Sequence, residues 1–476
     1  MNPTLLLLLV YAAGLVLLGL WIGRRVGDSS SFFVAGRRLS PGLLCATILA
    51  ANIGAGSTVG AAGLGYANGL AAWWWVGSAA IGTAILGVWI GPRIWKIASE
   101  RGLYTVGDYL ELRYGPSVRA VVAGIMWIAT LAILAGQLIA AAWILDVVAG
   151  IPKPIGCLIA GGVMTAYFTA GGLLSSAWIN AVQLTVLLAG LLLSLPIALQ
   201  GVGGWNAIVE SAASAAPDYF GFMSGGGSSW MYLFLLAPAF IVSPGLIQKV
   251  YGGRDVRAVR IGVIASAIAL GLFAIVPPVF GMIAHAMDPG LANPELALPV
   301  VFAEGVPLAV GALALAAVFS AEISSADAIL FMLSTSLAED IYKRFVRPDA
   351  TDREVLRMAR MAAVAGGGFG VALAIALPSV IGSLSVFYTL LSVSLFVPVV
   401  AGLYTRRPGT PAALAAMAGG VAGVAAVRLG ALPAGGWTTP YTVGLAAAAV
   451  CFVVGTLLSP ARTRSSPPPE LPPASR

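Results

Sequence analysis

The sequence predicts an all-α integral membrane protein with about thirteen transmembrane helices. Of its 476 residues, 59% are apolar and 9% are charged, against roughly 45–50% and 25% in soluble proteins. The mean hydropathy is +0.94. So few charges cannot cover a surface in water, so most of the surface must face hydrocarbon. The distribution of the basic residues is a third observation, and it fixes the orientation of the helices.

Each predicted span is an apolar stretch of roughly 20 residues, the length that crosses a bilayer. The first span carries Arg24 and Arg25 after its apolar run and no basic residue before it. We therefore interpret it as a retained helix rather than a secretion signal. The thirteen spans are centred on residues 3–22, 41–66, 73–92, 120–146, 153–170, 176–200, 230–248, 259–284, 306–338, 358–377, 380–404, 410–430 and 440–459.

The basic residues sort to one side of the membrane. With the N-terminus outside, all 26 lysines and arginines except Lys153 and Arg428 lie on the inner side. This agrees with the positive-inside rule. It predicts a multi-pass protein of the cell membrane, plasma or inner, with an outer N-terminus and a cytoplasmic C-terminus. The net charge of +7 therefore reports orientation, and we expect no nucleic-acid partner.

The titratable and thiol residues do not form a metal or catalytic pattern. The three cysteines, Cys45, Cys157 and Cys451, lie far apart without CxxC spacing, and the lone histidine, His285, has no Cys or His neighbours. No nucleophile, base and orienting group occur together, so the sequence does not predict an enzyme.

Two spans contain an interruption near the middle. The second runs from Pro41 into AANIGAGS at 50–57, and the seventh runs from Trp230 into FIVSPG at 240–245, a similar distance from its start. Helices rarely break at this depth, because freed backbone groups find no water there. Either interruption alone fits close packing at glycine or a simple proline kink. Two at matching positions favour a binding site.

Each interruption opens a block of five spans. Because five is odd, the blocks cross the membrane in opposite senses, the arrangement of an inverted repeat with its ion and solute sites near the midplane. The predicted division is a first helix and inner loop (1–40), a first repeat (41–201), an outer loop (202–229), a second repeat (230–404), two extra helices (405–460) and a disordered inner tail (461–476).

The ninth span carries a polar stretch at 319–327. On a helix Ser320, Ser324 and Asp327 share one face and Ser325 lies on the adjoining stripe, whereas Glu322 points elsewhere. An intramembrane carboxylate is costly and indicates ion coordination or proton transfer. Serine hydroxyls can bond to the preceding turn, yet beside unwound carbonyls they suit a monovalent cation.

At this point the sequence resembles the sodium/solute symporter family, whose members carry sugars, proline, sialic acid, pantothenate and monocarboxylates. The resemblance covers nearly the whole chain. Its motifs are the first-loop stretch 31–37, Ala50 to Ile53, Gly171 and Gly172 with Trp178, Ser324 and Ser325, and the run 339–343.

The resemblance implies a LeuT-like core of ten helices in a 5+5 inverted repeat, with one helix before it and two after. It also implies sodium as the transported ion, held between the second and ninth spans. By position, the ligands would be the carbonyls of Ala50, Ile53 and Ser320 and the hydroxyls of Ser324 and Ser325.

The chain departs from the family pattern at a few positions. Many relatives have an aspartate where this chain has Asn180, so a second sodium site is not expected from this residue. Sugar-carrying relatives have polar or acidic residues where Ser57 and Val76 stand, which disfavours a sugar. Glu322 and Asp327 lie outside the general sodium pattern, and we expect an auxiliary role in coupling or a contact with the solute.

The candidate solute contacts come from both interruptions and the eleventh span. They are Asn52, Ser57, Ser243 and one or more of Phe387, Tyr388 and Ser392. The outer-edge tryptophans Trp73, Trp74 and Trp75 are interpreted as an interfacial aromatic belt.

The leading hypothesis is therefore sodium-coupled symport of a small organic solute across the lipid bilayer by alternating access. The first alternative replaces sodium by a proton carried on Asp327 or Glu322. The second alternative is a solute sensor or a channel. The short inner tail argues against a sensor, and the lack of a charged ring or a repeated filter loop argues against a channel.

Overall fold

The computed structural model describes Leu6, Val10, Ala13, Gly14 and residues 37–212, 218–223, 229–405 and 409–458. Within these ranges the side chains of residues 167–182, 323, 324 and 327 are not described. Most of the predicted first span, the first-loop motif before Arg37 and the inner tail lie outside the described residues. The described backbone is helical and contains two isolated bridges but no strand, which confirms the predicted all-α class.

Eighteen α-helices make up most of the described chain. They are α1 (Pro41–Asn52), α2 (Ala61–Asn68), α3 (Trp73–Ile85), α4 (Gly91–Arg101), α5 (Val106–Tyr114), α6 (Pro116–Ala149), α7 (Lys153–Gly201), α8 (Trp205–Ala212), α9 (Tyr232–Val242), α10 (Pro244–Tyr251), α11 (Val256–Phe273), α12 (Val276–Met287), α13 (Ala297–Glu304), α14 (Leu308–Thr335), α15 (Asp352–Ala376), α16 (Val380–Tyr404), α17 (Thr410–Arg428) and α18 (Pro440–Leu458).

Shorter turns connect some of these helices. Three are π-helical, at Gly56–Gly60, Leu86–Ile90 and Ser336–Val346, and three are 3₁₀ turns, at Gly69–Ala72, Ser229–Met231 and Pro294–Leu296. π turns often occur at functional sites, and the first of these follows the predicted interruption of the second span.

Local sequence signals set several helix ends. Ser40 caps α1, accepting a hydrogen bond from the Leu43 amide at 3.3 Å, and Pro41 occupies the first turn, where its missing N–H costs nothing. Thr105 and Asp108 cap α5 reciprocally through side-chain and backbone groups. Such caps satisfy amides that a helix leaves without partners.

The predicted spans coincide with apolar helical segments. Nine helical stretches of the described chain are long and apolar enough to cross a membrane, and three shorter apolar helices are Pro41–Asn52, Lys153–Ala166 and Leu308–Glu322. These twelve segments fall at the second to thirteenth predicted spans.

The structure does not confirm the count of thirteen helices. The fifth and sixth predicted spans lie on one continuous helix, α7, of 49 residues, about 73 Å long at 1.5 Å per residue. The expected connection near residues 171–175 is therefore absent from the described backbone. Its glycines permit a turn without forcing one, and Pro196, the proline inside α7 after its first turn, lies well beyond them.

The leading helix of each predicted repeat packs against the second span of the other repeat. The interrupted second span packs against the eighth, as α1 with α11 and α2 with α12, while α9 of the seventh span packs against α3 of the third. This reciprocal packing is what an inverted pair of blocks requires. The polar helix α14 runs beside α6, α7 and α1, so it faces the first interruption.

Candidate ion and solute site

The first interruption is an unwound segment between α1 and α2. The helix ends at Asn52, and Ile53 is extended, with φ −100° and ψ 99°. The Gly54 amide donates to the Ser57 hydroxyl at 2.9 Å, and the Ala55 amide donates to Oε1 of Gln137 on α6 at 2.8 Å. Side chains thus satisfy the amides that the break frees, as a buried break requires.

The second interruption lies at the predicted place between α9 and α10. Ser243 has φ −53° and ψ 120°, and Pro244 begins the next helix. A residue that precedes proline is disfavoured from helical geometry, and proline donates no amide hydrogen bond. α9 is 11 residues long before its break and α1 is 12, so the two breaks lie at corresponding depths.

Helix α14 meets the first break through Ser325. The Ser325 hydroxyl lies 3.0 Å from the Ile53 carbonyl oxygen and 3.4 Å from that of Ala50. These are the two carbonyls that the family resemblance implies as partners of the serine pair. A methyl group added to Gly54 would lie 2.2 Å from the Ser325 hydroxyl oxygen, so only glycine permits this approach.

The structure describes only some of the other residues of the predicted ion site. Ser320 is buried on α14. The side chain of Ser324 lies outside the described residues, as do those of Asp327 and Asn180. The oxygens that the structure brings together, two carbonyls and a hydroxyl, carry no formal charge, which suits a hard monovalent cation. The described residues include no group of three or more His, Cys, Asp or Glu side chains that could hold a metal ion.

Glu322 on α14 contacts the same broken segment at Thr58, after the break. Its Oε1 lies 2.8 Å from the Thr58 hydroxyl oxygen, which also lies 2.9 Å from the Gly54 carbonyl oxygen. The Glu322 side chain has no exposed area, and its Oε2 has no hydrogen-bond partner. The sequence pattern showed only that Glu322 points away from the serine face, not that it contacts Thr58.

A central cavity of about 440 Å³, open solvent included, lies between the two breaks. Three of the candidate solute contacts, Asn52, Ser57 and Tyr388, line it, and so does Ser325. Asn52 has a buried Nδ2 without a partner. The Ser57 hydroxyl, however, already bonds to the backbone of the turn, so it helps to shape the break.

A second cavity continues from the central one towards α10. The two cavities share six lining residues, among them Asn52, Phe240 and Tyr388. Ser243 and Phe387 line the second cavity. Ser392 lines neither, because its hydroxyl donates to the Leu235 carbonyl at 2.7 Å and joins α16 to α9. Among the eleventh-span candidates, Tyr388 is therefore the one that faces the central cavity.

Three lining residues were not identified from the sequence. Gln137 holds the Ala55 amide, and Trp75 and Phe240 form aromatic walls with Tyr388, at ring-centroid distances of 6.1 and 5.3 Å from it. The aromatic-belt interpretation is wrong for Trp75, which is 3% exposed. Three adjacent tryptophans on a helix point in different directions, and this one points inward.

A group of buried charges lies at the ends of the spans that the sequence predicts to face inward. We call it the inner charge cluster, and it consists of Asp108, Glu111, Arg119, Glu339 and Asp340. Arg119, 5% exposed, lies 2.7, 2.9 and 2.8 Å from the carboxylates of Asp108, Glu111 and Asp340. The cluster connects α5 and α6 to the π-helical segment that follows α14. A cavity of about 450 Å³ lies beside it, lined in part by Asp340 and by Pro244 at the second break.

The fold and this site together define a class of membrane protein. Two five-helix blocks of opposite sense, each with a broken leading helix, and a cavity between the breaks are the features of an inverted-repeat secondary transporter. The chain belongs to the sodium:solute symporter family, whose model matches residues 32–420.

Curated relatives and solved structures agree with this assignment. The chain is 26% identical to a sodium/glucose cotransporter of Vibrio parahaemolyticus, over 75% of this chain and 71% of the relative. It is 27% identical to a sodium/pantothenate symporter of Escherichia coli, over 82% and 83%. A substrate-bound outward-open sodium-coupled sialic acid symporter shares the fold, with a TM-score of 0.82, 18% identity and coverage of 97% and 99%.

The predicted class is therefore confirmed. The protein is a multi-pass membrane transporter that couples sodium to a small organic solute, and it is not an enzyme. The sensor and channel alternatives do not agree with this family.

Proposed function

We propose that sodium binds where the first break meets α14 and that the solute binds in the adjoining central cavity. The contact of Ser325 with the carbonyls of Ile53 and Ala50 carries this proposal. A sodium ion at this point would take both carbonyl oxygens and the hydroxyl oxygen as ligands. The ion would replace the hydrogen bond of the Ser325 hydroxyl, because the single hydroxyl proton cannot bond to both carbonyl oxygens at once.

The other proposed sodium ligands come from α14. We keep Ser324 and the Ser320 carbonyl from the sequence prediction. Helix geometry adds the Ala321 carbonyl, because a carbonyl lies beside the residues three and four positions later, here Ser324 and Ser325. The ion thus bridges the broken helix of the first repeat to a helix of the second.

The solute site is proposed to lie among Asn52, Tyr388 and the aromatic walls, with Ser243 towards the second cavity. Ser325 lines this cavity and is also a proposed sodium ligand, so ion and solute share a wall. Binding of one then orders the site of the other, and such coupling is reciprocal. In an alternating-access cycle, sodium must bind one conformation better than the other.

The membrane potential supplies part of the driving force. One positive charge that moves inward through 100 mV yields about 2.3 kcal/mol. This energy is available in any membrane that maintains such a potential, and we retain the orientation that the basic residues favour, with the N-terminus outside and the C-terminus cytoplasmic in the cell membrane. We retain for this cycle the predicted division into a first helix, two five-helix repeats and two extra helices. We also retain Asp327 and Asn180 as auxiliary residues.

The test is the response to sodium of the purified protein. We expect its thermal midpoint to rise in sodium chloride relative to N-methylglucamine chloride of equal ionic strength, and Ser324→Ala with Ser325→Ala to abolish this rise. Ser334→Ala is the matched control, since this buried hydroxyl on the same helix bonds only to its own turn, at the Phe331 carbonyl. An undiminished sodium response in the double variant would rule out the proposed ion site.

Solute uptake into liposomes separates sodium from proton coupling. Amino acids, monocarboxylates, nucleobases and sugars would first be screened by sodium-dependent thermal shift, and the best solute would then be used for uptake. We expect uptake to follow a sodium gradient. Uptake that persists without sodium and follows a pH gradient would favour the proton alternative.

A further inference from the structure

Lys249 places a positive charge in the wall of the second cavity. It lies in the second turn of α10, it is 2% exposed, and it lines this cavity together with Ser243. A helical side chain leans towards the N-terminal end of its helix, which for α10 is the second break. An ionisable residue inside a membrane-spanning segment is costly and commonly has a function.

The two connected cavities contain no other formal charge among their described lining residues. Glu322 lines neither of them, and its carboxyl lies against Thr58. Ser325 and Ile329 present one side of α14 to the cavities, and helix periodicity places position 327 on the opposite side of this helix. The described walls therefore offer a solute one charged group, and this group is a cation.

The ammonium of Lys249 can bind a solute anion in addition to a protein group. Lys249 also has an interaction within the protein, but an ammonium carries three donor hydrogens. Asn52 supplies a further donor, since its buried Nδ2 has no partner among the described residues and the residue lines both cavities. A carboxylate has two acceptor oxygens and no donor, so it is complementary to these two side chains.

The rest of the shared wall is apolar or aromatic. Apart from Asn52, the residues that line both cavities are Ala51, Ile133, Phe240, Ile329 and Tyr388. Such a wall favours an apolar solute body, because contact with it removes apolar surface from water. The described lining residues include no acidic side chain that could pair with an amino group on the solute.

We propose that the solute is a monocarboxylate with a small apolar body, whose carboxylate binds Lys249 while its body lies between Phe240 and Tyr388. This inference rests on the proposed solute site and names its substrate class. The positive charge of the sodium ion proposed beside Ser325 acts in the same direction, since it also attracts an anion. Lys249 is thus a specificity-determining residue.

Solutes that share a carbon skeleton test the effect of charge. One set is 4-methylpentanoate, 4-methylpentanamide and leucine, and a smaller set is propionate, propionamide and alanine. Thermal shifts of the purified protein would be measured at constant sodium, with sodium chloride balancing the sodium salts. In at least one set we expect the acid to half-saturate at a concentration at least about tenfold lower than the amide and the amino acid, the effect of a hydrogen bond to a charged group.

Two results of this series would overturn the proposal. One is binding of the amide or the amino acid as tight as that of the acid in both sets. The other is the absence of a thermal shift with either acid.

Substitution of Lys249 separates the loss of charge from general damage. Lys249→Gln removes the charge and should bring the half-saturating concentrations of acid and amide to within about threefold of each other, because only the acid loses an ionic partner. Lys249→Arg keeps the charge and should keep the preference for the acid. Lys96→Gln on α4 is the matched control, since the side chain of Lys96 is 71% exposed. An unchanged preference for the acid in Lys249→Gln would contradict the proposed contact.

The sodium response separates this inference from the proposed sodium site. Without solute, Lys249→Gln should keep the rise of the thermal midpoint with sodium. If wild type shows no such rise, the proposed sodium site fails, while the comparison of acid with amide still tests Lys249. If sodium raises the midpoint but the amide or the amino acid binds best, the inference alone fails. If Lys249→Gln does not fold, the solute series on the unaltered protein still decides the substrate class.

Discussion

At the scale of single residues, Gly54 is where the two sides of the proposed ion site come closest. Its missing side chain leaves room for Ser325 from α14 and for Gln137 from α6, which would lie 2.2 and 2.7 Å from an added methyl group. The Cβ of Ser325 would lie 2.6 Å from the added methyl group, and this atom cannot move without displacing α14.

Substitution of this glycine should therefore impair the ion site. We expect Gly54→Ala to push the unwound segment away from Ser325, at a cost of about 1–3 kcal/mol in stability, and to abolish the rise of the thermal midpoint with sodium. Gly124→Ala is the control, because an added methyl group there has no neighbour within 4 Å. A normal sodium response in Gly54→Ala would contradict the close approach.

At the scale of elements, the two broken helices are stabilised differently. The first break is held by side chains, through Gln137, Ser57 and Ser325. The second depends on proline, because Pro244 excludes helical geometry at Ser243 and cannot continue the hydrogen-bond ladder. We therefore expect that a single substitution at Pro244 alters the second break and leaves the first break intact.

Pro244→Ala provides this separation. With the constraint removed, α9 and α10 are free to join, and the wall around Ser243 changes. We expect the half-saturating solute concentration to rise severalfold while the half-saturating sodium concentration stays within twofold. Pro238→Ala, inside α9 but before the break, is the control. A larger change for sodium than for the solute would contradict this division of roles.

At the scale of the whole molecule, the inner charge cluster joins parts of both repeats. Arg119 at the start of α6 binds Asp340 beyond the end of α14, and the Thr105 hydroxyl donates to Asp340 at 2.7 Å. A buried cation surrounded by carboxylates holds these segments together, since removal of one partner leaves uncompensated charge.

Glu339 makes the stability of this region depend on pH. It lies past the end of α14, and burial raises its pKa to about 7, although Lys343 opposes the shift. In the unfolded chain the pKa is near 4.5. The folded state thus binds more protons between these values, so stability falls as the pH rises from about 4.5 to about 7 and levels off above.

The measurement is the thermal midpoint across this range. In sodium-free buffer we expect the midpoint to be higher at pH 5.5 than at pH 7.5 and the difference to shrink in Glu339→Gln, which stays neutral at both values. Glu354→Gln is the control, because this half-buried glutamate has a lowered pKa, held down by hydrogen bonds from Thr351, and stays ionised at both values. An unchanged difference in Glu339→Gln would assign the pH effect to another group.

The sequence predicted the parts of the site that depend on local chemistry. Gly54 with its neighbours and the Ser243–Pro244 pair indicated both breaks, because glycine and proline act on their own backbone. Ser325 was placed opposite Ala50 and Ile53 by the serine pattern and the family resemblance. The predicted connection between the fifth and sixth spans is not confirmed, since α7 continues through it and the glycines near residue 171 allow a turn but do not require one.

Contacts between distant elements could not be predicted in the same way. Gln137 reaches Ala55 across 82 positions, and Glu322 reaches Thr58 across 264. Both depend on which faces of two helices meet, and hydropathy does not specify this inside a protein whose helices are apolar on all sides. Trp75 was misassigned for the same reason, since an outer-edge tryptophan can face either lipid or the interior.

Arg37 shows how an interaction can escape ordinary mutational scans. Its guanidinium donates to three main-chain oxygens, those of Tyr251, Ala98 and Leu103, at 3.1, 3.1 and 2.8 Å. All three acceptors belong to the polypeptide backbone, so exchanging the residues that provide them leaves the attachment unaltered. Side-chain substitutions at positions 98, 103 and 251 therefore keep these three hydrogen bonds. Alanine scanning would remove them only when Arg37 itself is replaced.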